Sequence, residues 1–139
     1  MKISTRGRYG LRALVELATC GQDACMPLRT IALRHGMSEY YLEQLFAPLK
    51  KAGIVQSIRG AQGGYKLSRA PEDITAGDVI RVLEGTLSPV DCLEDENYEC
   101  AAASCENCNT KSVWEKLYAG VNEVLDTIRL ADLIEPNKT

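Results

Sequence analysis

The sequence predicts a mainly α-helical fold with a small β-wing: a winged helix-turn-helix domain followed by a long amphipathic helix. Three observations predict it. Two short helical segments, one over 28–35 and one opening after Ser38, are joined by a turn that contains Gly36, the spacing of a helix-turn-helix. Directly after them, two β-rich stretches, 54–58 and 65–67, flank Arg59-Gly60-Ala61-Gln62-Gly63-Gly64, which predicts a hairpin. Towards the C-terminus, Trp114, Leu117, Tyr118, Val121, Leu125 and Ile128 keep a helical period for longer than one small domain needs.

At 139 residues the chain is long enough for one domain with a core and an appendage. No run is long enough to cross a membrane. Met1 to Gly10 is charged and lacks the apolar run of a signal peptide, so a cytoplasmic location is expected. The net charge of -3 conceals a split. Residues 1–70 carry eleven Lys and Arg against four acids, and residues 71–139 carry five against fifteen. A basic half of this kind suits a polyanion. An enzyme is not expected: the chain has one histidine, no nucleophile paired with a base, and no cofactor loop.

In chain order, Ser4 is placed to cap a first helix running to about Cys20 and ended by Gly21. Its inner stripe is Gly10, Ala13, Leu14, Leu17 and Ala18. Lys2, Arg6, Arg8 and Arg12 crowd its start, where basic side chains and free backbone N–H groups together favour a phosphate. Cys20 and Cys25 read as structural residues or free thiols. The second helix turns Ile31 and either Ala32 or Leu33 inward. His35 reads as a surface or phosphate-facing residue.

Ser38 caps the third helix, which buries Leu42, Leu45, Phe46 and Leu49 in an i, i+3, i+4, i+7 set. The opposite face carries Tyr40, Glu43, Gln44, Ala47 and Lys51. If this helix lies in a DNA major groove, its first turns reach the base edges. There Gln44 is suited to adenine and Glu43 to the amino group of cytosine, while Lys50 and Lys51 meet phosphates. Pro48 predicts a kink or an early end near Ala47. In the hairpin, Arg59 and Gln62 are placed for the minor groove, and Gly60 permits close approach to the DNA backbone. The glycine run is not a nucleotide loop: its spacing is not GxGxxG and a strand follows it. Pro71 and Thr75 introduce a helix over about 76–83, ended by Gly85. Thr127 is placed to cap a last segment ending at Ile134.

Between these helices lie Cys92, Cys100, Cys105 and Cys108, in a loop rich in Glu and Asp. Four cysteines in so short a loop are not core filler. A disulfide knot and a metal or iron–sulfur site compete for them, and a reducing compartment favours the second. Zinc is an alternative through the Cys105-x-x-Cys108 couple, although Cys92 to Cys100 is wide for a second couple. A bare thiol sensor is another. The surrounding acids are expected to raise thiolate pKa values, which argues against a reactive free thiol.

Met1 to Gly10, Tyr41-Leu42-Glu43-Gln44-Leu45-Phe46, Lys51-Ala52-Gly53, and Arg59-Gly60 with Gly63-Gly64-Tyr65 together resemble the bacterial winged-helix regulators typified by IscR. That family includes NsrR, RirA and CymR. The resemblance covers nearly the whole chain. It implies a homodimeric regulator, mostly a repressor, that binds double-stranded DNA at a pseudo-palindromic operator. The DNA contacts would come from Lys2, Arg6, Arg8, Ser38, Tyr40, Tyr41, Glu43, Gln44, Lys50, Lys51, Arg59, Gly60 and Gln62. Residues 1–84 would form the winged DNA-binding domain, 85–110 a cluster-binding loop, and 111–134 the dimerisation helix with its C-terminal segment.

The resemblance also implies an iron–sulfur cluster, 2Fe–2S rather than 4Fe–4S, which would make the protein a sensor of cluster supply, iron or redox state. Cys108 lies before Trp114 as the family's last cysteine ligand does, with Cys92 and Cys100 in the first two positions. Cys105 is then an extra thiol or the fourth ligand. Relatives of the IscR type carry a histidine three residues before the tryptophan, where this chain has Lys111. The alternative within the family is a cluster-free regulator of the CymR type, controlled by a partner protein or by thiol oxidation.

Overall fold

The computed structural model describes residues 2–21, 23–95, 97–99 and 108–134. Its elements follow the order α1 (Thr5–Ala18), α2 (Leu28–His35), α3 (Glu39–Lys51), β1 (Val55–Ile58), β2 (Gly64–Leu67), α4 (Ala76–Glu84), α5 (Lys111–Thr127) and α6 (Leu130–Ile134). Single 3-10 turns lie at Pro71–Asp73 and Asp91–Leu93. No described helix is long and apolar enough to cross a membrane.

One apolar core joins α1 to α4 and α6. Gly10, Ala13, Leu14, Leu17 and Ala18 of α1 are buried as their spacing requires. They meet Ile31 and Ala32 of α2, and Leu42, Leu45, Phe46 and Leu49 of α3, the last four with no exposure. Val79, Leu83 and Leu130 close the same core, so the end of the chain returns to the domain that its start builds. In α2 the inward residue is Ala32, and Leu33 stands 79% exposed.

Helix boundaries follow local chemistry. Ser38 Oγ accepts the Tyr41 N–H at 3.0 Å, which caps α3. Thr75 and Asp78 form a reciprocal capping box at the start of α4, each side chain 3.0 Å from the other's backbone N–H. Three expectations are corrected. Helix α1 ends at Ala18, with Thr19 as its cap, and Cys20 lies beyond it. Helix α3 does not end early near Ala47 but runs through Pro48 to Lys51. Proline costs the helix the bond to the Gln44 carbonyl, but Leu45, Phe46 and Leu49 are all fully buried around it and hold the turn. Thr127 closes α5 rather than capping α6: its hydroxyl donates to the Val124 carbonyl at 2.8 Å.

The hairpin is antiparallel, with Val55 opposite Leu67 and Ile58 opposite Gly64. A third piece of backbone joins its edge. Met26 donates to the Tyr65 carbonyl at 2.8 Å and accepts the Tyr65 N–H at 2.9 Å, which attaches the lead-in to α2 to β2.

Candidate nucleic-acid interface and cysteine loop

Because its four apolar residues are fully buried, the rotation of α3 is fixed, and so is the face it presents. Tyr40 is 70% exposed, and Glu43, Gln44, Ala47, Lys50 and Lys51 are turned outward with it, Lys50 and Lys51 beyond the last buried leucine. Lys50 and Lys51 also complement the dipole of the last turn. The Ala52–Gly53 turn leads straight from this helix into β1, and Arg59, Gly60 and Gln62 stand exposed at the tip of the hairpin. The structure therefore presents Tyr40, Glu43, Gln44, Lys50, Lys51, Arg59, Gly60 and Gln62 to solvent.

Two of the expected contact residues have work inside the domain. Ser38 spends its hydroxyl on the cap of α3. Tyr41 is half-buried. Its ring meets that of Tyr9 edge-on, 6.3 Å between centroids and 88° between planes. The Tyr41 hydroxyl is buried and has no hydrogen-bond partner among the described residues. Tyr9 in turn carries the guanidinium groups of Arg8 and Arg12 at 5.7 and 5.4 Å from its ring centroid.

The start of α1 departs from expectation. Lys2, Arg6 and Arg8 are exposed, but the N–H groups of Ser4 and Gly7 are already paired. Both donate to Glu84 Oε1, at 2.9 and 3.2 Å. An internal carboxylate thus takes two of the N–H groups expected to face a phosphate, and the basic side chains of this turn stay exposed. Arg6 Nε lies 3.5 Å from the Leu83 carbonyl at the end of α4. His35 is not phosphate-facing either: it is half-buried, with Nε2 3.3 Å from Glu16 Oε2. Arg34 is bound to the other oxygen of Glu16. These two contacts tie α2 to α1, and the Arg34 hydrogen bond holds the Glu16 carboxyl below its ordinary range against the opposing effect of burial, with His35 assisting.

Cys25 and Glu84 are the residues the sequence did not bring to the site. The Cys25 thiol donates to the Gln62 carbonyl at 3.0 Å, so it touches the wing. Cys20 bonds the Leu17 carbonyl at 2.9 Å, and burial raises its pKa. No local spacing links residue 25 to 62 or 84 to 4, so neither pairing had a signal in the chain pattern.

In the cysteine loop, Cys92 is half-buried in a 3-10 turn and Cys108 is exposed just before α5. Cys100 and Cys105 lie outside the described residues. Among the described residues no three His, Cys, Asp or Glu side chains converge as a metal site. Cys108 Sγ is 3.4 Å from the Thr110 hydroxyl. That contact lowers the thiol pKa, contrary to the rise expected from the acids of the loop. A thiol shifted towards thiolate suits a soft ligand. Lys111 opens α5.

None of the described residues of α5 is buried. Val113 is 52%, Leu117 40% and Val124 58% exposed. Leu117 and Val124, with Ile3, Gly120, Val121 and Leu125, line an apolar groove of about 490 Å³.

A family model described as Rrf2, iron-dependent transcriptional regulator, matches residues 3–136. The transcriptional regulator CymR of Bacillus subtilis is 49% identical over 133 residues, which are 96% of this chain and 89% of that protein. The solved structure of CymR, the global cysteine regulator of B. subtilis, superposes with a TM-score of 0.81 at 43% identity and covers 99% of both chains. That of IscR from T. potens superposes with a TM-score of 0.76 at 47% identity, covering 97% of this chain and 87% of the other.

Proposed function

The chain belongs to the Rrf2 family of transcriptional regulators, and from that premise we propose that it is a homodimeric DNA-binding regulator, mostly a repressor, whose affinity or choice of operator is set by its cysteine loop. The observation that carries the reading is the outward face of α3. Tyr40, Glu43 and Gln44 stand clear of a fully buried stripe, and a hairpin with Arg59 and Gln62 at its tip follows at once. Tyr40, Glu43 and Gln44 read the major groove. Lys2, Arg6, Arg8, Lys50 and Lys51 meet phosphates, and Arg59 with Gln62 reaches the minor groove. Ser38 and Tyr41 act by holding α3 in place. Two protomers joined along α5 set two such heads about 34 Å apart, one turn of DNA.

In the loop, Cys92, Cys100 and Cys108, with Cys105 as fourth thiol, are the residues that would hold an iron–sulfur cluster, 2Fe–2S rather than 4Fe–4S. The cluster would supply a state that responds to iron and oxidants. The loop lies between α4 and α5, so ordering it constrains the pairing helix relative to the reading head.

A cluster-free reading, in which thiol chemistry carries the signal, is favoured by one observation: the Cys25 thiol bonds the wing at Gln62. Anaerobic purification with iron, sulfide and zinc assays and an absorption spectrum separates these readings. Iron and sulfide in similar amounts support the cluster. Zinc alone makes the loop a clasp. A metal-free protein after reconstitution leaves control by a partner protein or by thiol chemistry. DNA binding that does not weaken with salt would remove the proposed phosphate contacts.

A further inference from the structure

The carboxylate of Glu84, the last residue of α4, sits on the first turn of α1. Its Oε1 accepts the Ser4 N–H at 2.9 Å, the Ser4 hydroxyl at 2.6 Å and the Gly7 N–H at 3.2 Å. Ser4 stands at the N-cap but makes no side-chain cap of its own, and the first turn of α1 holds no acid. Free N–H groups and a positive dipole end need an acceptor and a negative charge. Lys2, Arg6 and Arg8 increase that need. Glu84 answers it from 80 residues away. The fit is close: a β-carbon on Gly7 would lie 2.5 Å from Glu84 Oε1 and 3.1 Å from Ile3 Cγ2.

One turn earlier on α4, Arg81 reaches the other way. It donates to Asn122 Oδ1 at 3.2 and 3.0 Å and to both oxygens of Asp126 at 2.7 and 2.8 Å, and both partners belong to α5. Residues 81 and 84 are neighbours on the helix surface. Helix α4 is therefore a strut that meets the pairing helix through Arg81 and the basic turn of α1 through Glu84. It ends at Gly85, where the cysteine loop departs.

We propose that Glu84 is a positioning residue for DNA binding. By holding Ser4 and Gly7 it sets where Lys2, Arg6 and Arg8 stand relative to α5, and so relative to the phosphates of an operator. The proposal rests on the DNA-binding reading above. It predicts a sign opposite to simple electrostatics. Deleting an acid from a protein that binds a polyanion strengthens the attraction, whereas deleting Glu84 frees the basic turn and loosens its hold on the phosphates.

The test is a titration of mixed-sequence duplex DNA with the full-length wild type, Glu84→Ala, Glu84→Gln and Glu72→Ala, repeated over a salt series. Glu72→Ala makes the same charge change at an exposed residue outside the strut. The expected result is weaker binding by Glu84→Ala, about 3-fold or more at low salt for each phosphate that is no longer neutralised, with a log–log salt slope shallower by about 0.9 per phosphate. Glu84→Gln keeps an acceptor oxygen and falls between it and the wild type. Glu72→Ala binds as tightly as the wild type or more tightly. Glu84→Ala binding as tightly as Glu72→Ala, with the wild-type slope, overturns the proposal. If Glu84→Ala does not fold, Ser4→Ala and Gly7→Ala attack the same joint from α1, and a wild-type slope in both overturns it equally. A wild type without salt-dependent affinity overturns the DNA-binding reading together with the proposal, whereas absence of the Glu84 effect alone leaves that reading standing.

Discussion

The thiol of Cys25 donates to the backbone carbonyl of Gln62 at 3.0 Å, so the segment that leads into α2 is hooked to the tip of the wing. Met26, the next residue, pairs both of its backbone groups with Tyr65. A bulky maleimide on Cys25 removes the thiol donor and pushes the wing tip away, while α3 stays held by its buried stripe. Alkylation is expected to weaken DNA binding several-fold and to leave the base preference of α3 intact. The comparison is wild type against Cys25→Ser, each before and after treatment. Equal losses in both would place the effect at another cysteine.

Gly10 lies where α1 and α4 touch. A β-carbon at this position would run into Leu83 Cδ1. Gly10→Ala raises helix propensity but overpacks this crossing. The second effect wins because Leu83 is itself buried at 5% exposure in the core. A loss of about 1–3 kcal/mol is expected, read as a lower urea midpoint at unchanged slope. A midpoint at or above the wild type would show that α4 yields at this crossing.

Glu16 makes part of the stability depend on pH. Arg34 and His35 both bind its carboxylate, and Arg8 and Arg12 line the groove it faces. The Arg34 hydrogen bond, acting against desolvation, lowers the folded pKa below 4.5. A lowered carboxylate pKa contributes stability that is fully present above the unfolded pKa and is lost as pH falls through the folded one. Glu16→Gln is therefore expected to be less stable than wild type at pH 7, by roughly 0.5–1 kcal/mol for a half-exposed pair. The difference should close below pH 4.5. Urea midpoints measured from neutral pH downwards check it. A gap that persists in acid would assign the effect to packing.

The stripes of α1 and α3 and the hairpin were legible because each depends on spacing within a few residues. Leu42, Leu45, Phe46 and Leu49 fall on one helical face whatever lies opposite. Pro48 does not end α3 near Ala47, because the buried core around it overrides the local rule. Tyr40 and Tyr41 are adjacent, and only the crossing of α3 over α1 decides that Tyr41 turns to Tyr9. Glu84 on Ser4 and Cys25 on Gln62 were illegible for the same reason: each joins parts of the chain that no periodicity relates. In the cysteine loop the expectation of metal or thiol chemistry rested on residue types alone. The ligand order came from resemblance, with Cys100 and Cys105 outside the described residues.

The outer face of α5 is expected to be the dimer contact. Val124 is 58% and Leu117 40% exposed, on a helix that leans on α4 through Arg81 and its neighbours. Val124→Glu puts a charge into a contact that would have to desolvate it. The expected outcome is a monomer by sedimentation, with an unchanged far-ultraviolet spectrum and much weaker binding to two-half-site DNA. A dimer of wild-type stability would place the contact on another face.

Glu43 separates affinity from selectivity. It is exposed on α3 beside Gln44, and among the described residues no hydrogen bond or ion pair holds its carboxylate. Facing DNA, an acid is repelled by phosphates and by most base edges, and it recovers that cost where a cytosine amino group donates to it. Its main effect is then rejection of other bases. Glu43→Ala should relax the base preference at one position of each half-site, by about 1–3 kcal/mol of discrimination, while overall affinity for mixed-sequence DNA stays level or rises. Selection of bound sequences from a random pool, with wild type and variant in parallel, reads this directly. If the variant binds no sequence at all, α3 does not present this face to the base edges, and the proposed reading by Tyr40, Glu43 and Gln44 falls.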